Sequence, residues 1–189
     1  MGDDRHLHVS IAHIVLCCVA GRGVSRMHNR SFTDPGMHAN FFIHGILGFL
    51  HNEKGMFNKD FNAAYVISFK ATRYLALPCL MADLHRDNQG LSSIHLISGL
   101  VPFALALSGE DNIPLGNLVI ACNIASLCHY SMQTGREWGW YTAGAAVFAY
   151  ILTPTIGNKV LYPLGLALME YCAYRLFNIH HSTPPPPPR

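Results

Sequence analysis

Two basic residues stand inside an apolar stretch of this sequence, residues 61–83, which reads FNAAYVISFKATRYLALPCLMAD. Lys70 and Arg73 are three residues apart, so a helix would place them on one face. A cation at the centre of a bilayer costs roughly 2.5–3.5 kcal/mol, and an acidic partner would offset much of that cost. The pattern therefore predicts an intramembrane charge cluster, provided that the stretch spans a membrane.

Glu170 is the acidic residue expected to complete this cluster, because no other acidic residue lies deep inside another apolar segment. Counted from the centres of their segments, Arg73 and Glu170 lie within about 2 Å of each other in depth. We expect Glu170 to pair with Arg73, Lys70 or both. The cluster could be a structural salt bridge, or it could serve an ion path, a proton path or an anionic substrate.

Histidine is abundant, with 12 in the chain, and several lie in the half of the bundle expected to face the cytosol. The predicted polar cluster in that half comprises His44, Asp83, His85, His95 and His129. Such side chains suit acid–base catalysis or metal binding. However, the sequence contains neither H-E-x-x-H nor any H-x-x-x-H pair, the spacings typical of zinc ligands on one helix. We therefore predict no metal and no cofactor.

The composition favours a membrane protein. Half of the 189 residues are hydrophobic and only 13% are charged, against roughly 25% in soluble domains. The mean hydropathy is +0.21. The formal net charge is +2, and the basic residues are scattered rather than clustered, so nucleic acid is not an expected partner.

Seven apolar segments, separated by short loops with turn residues, organise the chain. They are residues 6–20, 37–51, 61–83, 91–109, 113–132, 138–155 and 158–177. A soluble helical bundle would carry a polar stripe on each helix, and no sustained stripe is found from the fourth segment onward. We therefore predict an all-α, polytopic membrane bundle of about seven transmembrane helices without a sizeable soluble domain.

The last five segments approach the 20 residues that a spanning helix needs. The first two, residues 6–20 and 37–51, are shorter, so a re-entrant or interfacial helix is the alternative for each. The predicted organisation is a membrane bundle over residues 1–178, followed by a disordered, proline-rich tail over residues 179–189. Five consecutive prolines in the tail favour an extended polyproline helix, which a proline-recognition module could bind.

The distribution of Lys and Arg predicts the orientation. With seven spans, one side of the membrane holds Arg22, Arg26, Arg30, Arg86, Arg136, Arg175 and Arg189, and the other holds Arg5, Lys54, Lys59 and Lys159. This excess predicts a cytosolic C-terminus. The short spans favour the thinner bilayer of the endoplasmic reticulum over the plasma membrane.

Three classes of function remain open. We expect a small multi-pass protein that lies in the lipid bilayer and supports or associates with other membrane components, including a membrane-protein partner. The alternatives are a carrier of a small molecule, ion or lipid that uses Lys70, Arg73 and Glu170, and an intramembrane enzyme that uses the histidine and aspartate residues. The absence of a catalytic spacing favours a protein that is not an enzyme.

Overall fold

The computed structural model describes residues 3–25, 36–57 and 59–180. Most of the predicted tail, and Arg26, Arg30 and Arg189 of the orientation argument, lie outside these residues. Within them the chain is helical and contains no strand.

Ten α-helices and one π-helical turn make up the described part of the chain. They are α1 (Asp3–Ser25), α2 (Gly36–Asn52), α3 (Lys54–Phe57), α4 (Asn62–Tyr74), α5 (Ala76–Leu84), α6 (Gln89–Ser108), α7 (Ile113–Thr134), α8 (Glu137–Val147), the π turn (Phe148–Leu152), α9 (Thr153–Ile156) and α10 (Leu161–His180). Each of the seven predicted segments lies within α1, α2, α4–α5, α6, α7, α8–α9 or α10, with shifts of a few residues at the ends.

Proline accounts for both breaks inside the segments. Pro78 has no N–H for the carbonyl of Tyr74, and the helix divides at Leu75, between α4 and α5. Pro154 likewise leaves the carbonyl of Tyr150 without its helical donor, and the π turn lies directly before it. The third and sixth segments are therefore each two shorter helices.

The segments pack in a closed ring in chain order. α1 packs on α2, α2 on α4 and α5, these on α6 and α7, α7 on α8, α8 on α10, and α10 returns to α1 and α2. Neighbouring segments run in opposite directions. Between α1 and α2, for example, Gly45 of α2 faces Cys17 of α1. One turn further along α2, Gly48 faces His13, which lies one turn before Cys17 in α1.

The ring closes with α1 and α10 running in the same direction. Ile11 near the start of α1 lines the same surface cleft as Leu164 near the start of α10. Towards the other end, Gly23 of α1 faces Glu170 of α10. Parallel first and last segments require an odd number of alternating segments, which is consistent with seven.

Large apolar side chains are exposed along the outer faces of the ring. On α6 and α7 they are Ile94, Ile97, Leu100, Val101, Leu107, Ile113 and Leu118, each about half exposed or more. Three helices of the described chain are long and apolar enough to cross a membrane: Leu7–Ser25, Gln89–Ser108 and Ile113–Thr134. The protein is thus an all-helical chain with three candidate membrane-spanning helices, fewer than the seven predicted.

Fewer helices qualify as candidate spans than predicted because several are too short and one carries charged residues. α2 has 17 residues, and the breaks leave α4 with 13, α5 with nine and α8 with 11. α10 has 20 residues, but it carries Glu170 and Arg175. The prolines inside the segments indicate kinks, but they do not show which segments divide: α6 contains Pro102 and is continuous.

The contact between α1 and α2 depends on glycine. A Cβ atom on Gly45 would lie 2.8 Å from the backbone nitrogen of Cys17, and backbone atoms cannot move aside without separating the helices. We predict that Gly45→Ala destabilises the protein by about 1–3 kcal/mol, measured as unfolding in detergent micelles. Gly144→Ala is the matched control, since a Cβ there meets no atom within 4 Å. Equal stability of the two variants would contradict this packing.

Candidate functional site

A buried imidazole–carboxylate pair joins α2 to α10. His38 and Glu170 are 1% and 0% exposed, and Nδ1 of His38 bonds to Oε1 of Glu170. Gly23 of α1 lies against both side chains, since a Cβ there would be 2.6 Å from each of the two bonded atoms. Three segments therefore meet at this pair, and the missing side chain of Gly23 makes the meeting possible.

Each member of the pair keeps one polar atom to spare. Nε2 of His38 and Oε2 of Glu170 are buried and have no hydrogen-bond partner among the described residues. Aromatic side chains surround the pair: the ring of Phe177 lies 5.9 Å from that of His38. One turn beyond Glu170, the ring of Tyr174 carries the guanidinium of Arg22 at 5.0 Å.

The structure does not bring Glu170 to Lys70 or Arg73, the partners expected from the sequence. Both cations instead bond to groups in α6 and α7. Nζ of Lys70 donates to the carbonyl of Ala106 at 2.5 Å, and Arg73 donates to Oδ1 of Asn117 at 2.6 Å. The sequence-based expectation named only Lys70 and Arg73 as partners for Glu170 and did not include histidine.

The two basic residues therefore act at the end of the α6–α7 hairpin. Ala106 belongs to the last turn of α6, whose carbonyls lack helical donors and carry partial negative charge, so an ammonium group there is stabilising. Tyr74 links these cations to an acidic residue. Its hydroxyl donates to Asp111 at 2.7 Å, and its ring lies 5.8 Å from the guanidinium carbon of Arg73.

A second buried group, here called the histidine cluster, consists of His13, His44, His51 and Tyr65. The ring of Tyr65 stacks on His44 at 5.3 Å and on His51 at 4.5 Å. His13 meets His44 edge-on at 5.3 Å. His13 and His44 are almost fully buried, and Nδ1 of His44 bonds to the hydroxyl of Ser68 at 2.9 Å.

Tyrosine hydroxyls extend the histidine cluster towards α10 and the π turn. The ring of Tyr162 lies 6.1 Å from that of His44, and its hydroxyl is 3.2 Å from that of Thr72. Tyr150 of the π turn donates to the backbone carbonyl of Thr72 at 2.7 Å, beside the break between α4 and α5. Hydrogen bonds from tyrosine thus satisfy a carbonyl that the broken helix leaves without a partner.

The predicted histidine and aspartate cluster is assembled only in part. The rings of His85 and His95 stack at 5.5 Å, and His95 bonds to Asn123 at 2.9 Å. Asp83 lies two residues before His85, in the last turn of α5. His44 belongs to the histidine cluster instead.

His129 of α7 acts electrostatically on His85, which lies in the turn after α5. Burial, and then the charges of His95 and His129, lower the pKa of His85 below its ordinary value of 6.5. Three of the four predicted histidines are therefore close enough to influence one another. Among the described residues, no group of three or more histidine, cysteine, aspartate or glutamate side chains has an arrangement that could hold a metal ion.

A surface cleft of about 370 Å³ lies between the first turns of α1 and α10. It is lined by His8, Ile11, Ala12, Asn158, Val160 and Leu164. Its walls are mainly apolar, and the two polar side chains come from α1 (His8) and from the turn before α10 (Asn158).

No protein-family model, curated protein or solved structure matches this chain.

Sequence reasoning missed His38, His13, His51 and Tyr65. Spacing along α2 was a signal for His51 but not for His38, because only the seven residues from His44 to His51 are close to two helical turns. The glycines between them were a second signal, since Gly45 and Gly48 allow α1 to approach that face.

We predict that Glu170 and His38 are coupled energetically. Glu170→Gln should destabilise the protein by about 3–5 kcal/mol, because it removes the carboxylate from a buried pair. The double variant with His38→Gln should be more stable than the sum of the single losses implies, by about 1 kcal/mol or more. Unfolding in detergent micelles measures both quantities.

The control cycle combines Glu170→Gln with Arg73→Gln. Because the structure gives Arg73 a different partner, these two losses should add to within about 0.5 kcal/mol. Coupling in the Arg73 cycle, with additivity in the His38 cycle, would favour the pairing that was expected from the sequence.

We also predict that acid destabilises the protein partly through His85. Because the pKa of His85 is lower in the folded protein than its ordinary 6.5, the unfolded chain binds a proton first as the pH falls below that value. Stability is therefore full above pH 6.5 and decreases below it. Between pH 7.5 and 5.5, the unfolding temperature should fall further for the wild type than for His85→Gln. Parallel curves for the two proteins would exclude this contribution.

Proposed function

We propose that this protein is a seven-segment membrane bundle that supports or associates with other membrane components. In this proposal four more segments cross the bilayer beside the three candidate spans. They are α2, α10 and the two broken segments, α4–α5 and α8–α9. The C-terminus faces the cytosol, and the endoplasmic reticulum is the proposed membrane.

The observation that carries this proposal is the inward pairing of polar side chains in the segments that are not candidate spans. His38 of α2 bonds to Glu170 of α10, and His44 of α2 bonds to Ser68 of α4. Inside a bilayer, polar groups must find partners within the protein, and ionisable ones face the bundle interior. α2, α4 and α10 follow that rule, which supports their place in the membrane.

The supporting role is favoured by where the accessible surface lies. The described helices from α4 onward are joined by turns of a few residues, and the outer faces of α6 and α7 are apolar. A partner would therefore meet this chain mainly within the bilayer, where close packing of helix surfaces drives association.

A carrier is the second candidate function, favoured by the ionisable groups inside the ring. His38, His44 and Glu170 are all buried, and buried ionisable groups at membrane depth often mark ion or proton paths. In this version of the carrier hypothesis, the pair of His38 and Glu170 replaces the cluster of Lys70, Arg73 and Glu170. The enzyme alternative is supported only by the proximity of His85, His95 and His129.

The test compares membrane proteomes of cells with and without this chain. A supporting role predicts that a defined set of membrane proteins falls several-fold in abundance without it, because unassembled partners are degraded. The wild type should restore that set, and so should His44→Gln and Arg73→Gln, which retain hydrogen-bonding side chains.

The two variants separate a supporting role from a carrier. Both must first be shown to fold, by their unfolding temperatures in detergent. A carrier predicts that His44→Gln folds and reaches normal levels but fails to restore the phenotype. An unchanged membrane proteome without this chain would overturn the supporting role. Tags at the two ends of the chain should lie on opposite sides of the membrane, as seven spans require.

A further inference from the structure

We infer that His38 and Glu170 form a proton-binding site inside the bundle, a property that goes beyond the proposed supporting role. The two side chains are fully buried, bonded to each other, and contributed by different segments. When the imidazole is neutral and the carboxylate ionised, Nδ1–H of His38 donates to Oε1 of Glu170 and the pair carries one negative charge. One proton added at Nε2 of His38 or at Oε2 of Glu170 makes the pair neutral overall.

Two atoms of the pair without hydrogen-bond partners in the described part of the chain can each bind a proton. Nε2 of His38 and Oε2 of Glu170 have no partner among the described residues, although both are buried. A polar atom left without a partner in an apolar interior is costly, so such atoms mark a role beyond packing. A pair that served only to join α2 to α10 would be more stable with these two atoms bonded as well.

The titratable and charged groups nearest to the pair have other contacts. Arg22 of α1 lies over the ring of Tyr174, so its charge is held one turn away from Glu170. Cys79 of α5 packs against Gly36, two residues before His38. His44 lies two turns further along α2 and bonds to Ser68. Glu170 and His38 are thus the two titratable groups in contact at this point of the bundle.

The pair of His38 and Glu170 lies close to one end of the bundle, where α1 ends. Gly23 touches the pair, and α1 ends two residues later at Ser25. The proposed topology places this end of α1 at the cytosolic face. Protons would therefore exchange between the pair and that face. On the other side, about 9 Å of α2 separates His38 from His44, the nearest member of the histidine cluster.

The experiment follows the carboxyl group directly by infrared difference spectroscopy. The purified protein in detergent is titrated between pH 4 and 9, with glutamate labelled by carbon-13 so that its C=O stretch can be assigned. We expect one glutamate band whose titration differs from that of exposed glutamates. This band should be absent in Glu170→Gln and retained in Glu110→Gln, whose side chain is exposed.

Two further variants test the geometry without removing the carboxyl group. Gly23→Ala places a Cβ 2.6 Å from both bonded atoms and should move the titration midpoint by about one pH unit or more, whereas Gly144→Ala should not. His38→Gln should also move it. If Glu170→Gln fails to fold, Glu170→Asp should remove the labelled-glutamate band and add an unlabelled aspartate band.

Two results would overturn the inference. The first is a wild-type spectrum with no buried glutamate that titrates between pH 4 and 9. The second is a band that persists without Glu170. Either result would leave the supporting role intact, because the proteome comparison does not depend on proton binding.

Discussion

The need to pair polar side chains within the helix bundle is the constraint on which the rest of this structure depends. An apolar surround offers no water to hydrogen-bond, so each polar side chain of a segment needs a partner on a neighbouring segment. His38 finds Glu170, His44 finds Ser68, and Arg73 finds Asn117. These contacts join α2 to α10, α2 to α4 and α4 to α7. Only α2 and α4 are consecutive segments of the ring, so these polar contacts also join segments that are not consecutive along it.

The same constraint explains why the broken helices are tolerated. Pro78 and Pro154 each remove a backbone donor, and the freed or displaced carbonyls must be satisfied from elsewhere. Tyr150, which lies in the second break, donates to the carbonyl of Thr72 in the first. The hydroxyl of Thr153 donates to the carbonyl of Ala149 within its own turn. The two irregular segments therefore support each other, and neither break leaves the ring open.

Segment boundaries were predictable from the sequence, because turn residues and apolar runs are local signals. The α-helical class and the positions of the seven segments follow from them. Side-chain partners were not predictable in the same way. Counting residues gives the depth of Glu170 along its helix, but the partner also depends on which segment is adjacent and how it is rotated. The search for opposite charges favoured Arg73 and Lys70, whereas a histidine that carries no formal charge at neutral pH is the actual neighbour.

The partner of Glu170 is His38 rather than Lys70 or Arg73, so Glu170 and the two basic residues belong to separate sites. Lys70 and Arg73 bond to groups near one end of the α6–α7 hairpin, where a helix terminus and a loop carboxylate stabilise cations. Long basic side chains that reach towards such an end are a structural solution to membrane insertion. Glu170 has no such exit, because it is fully buried and bonds to the equally buried His38. The two basic residues bond near the end of a hairpin, whereas the proton site proposed for His38 and Glu170 lies in the interior where three segments meet.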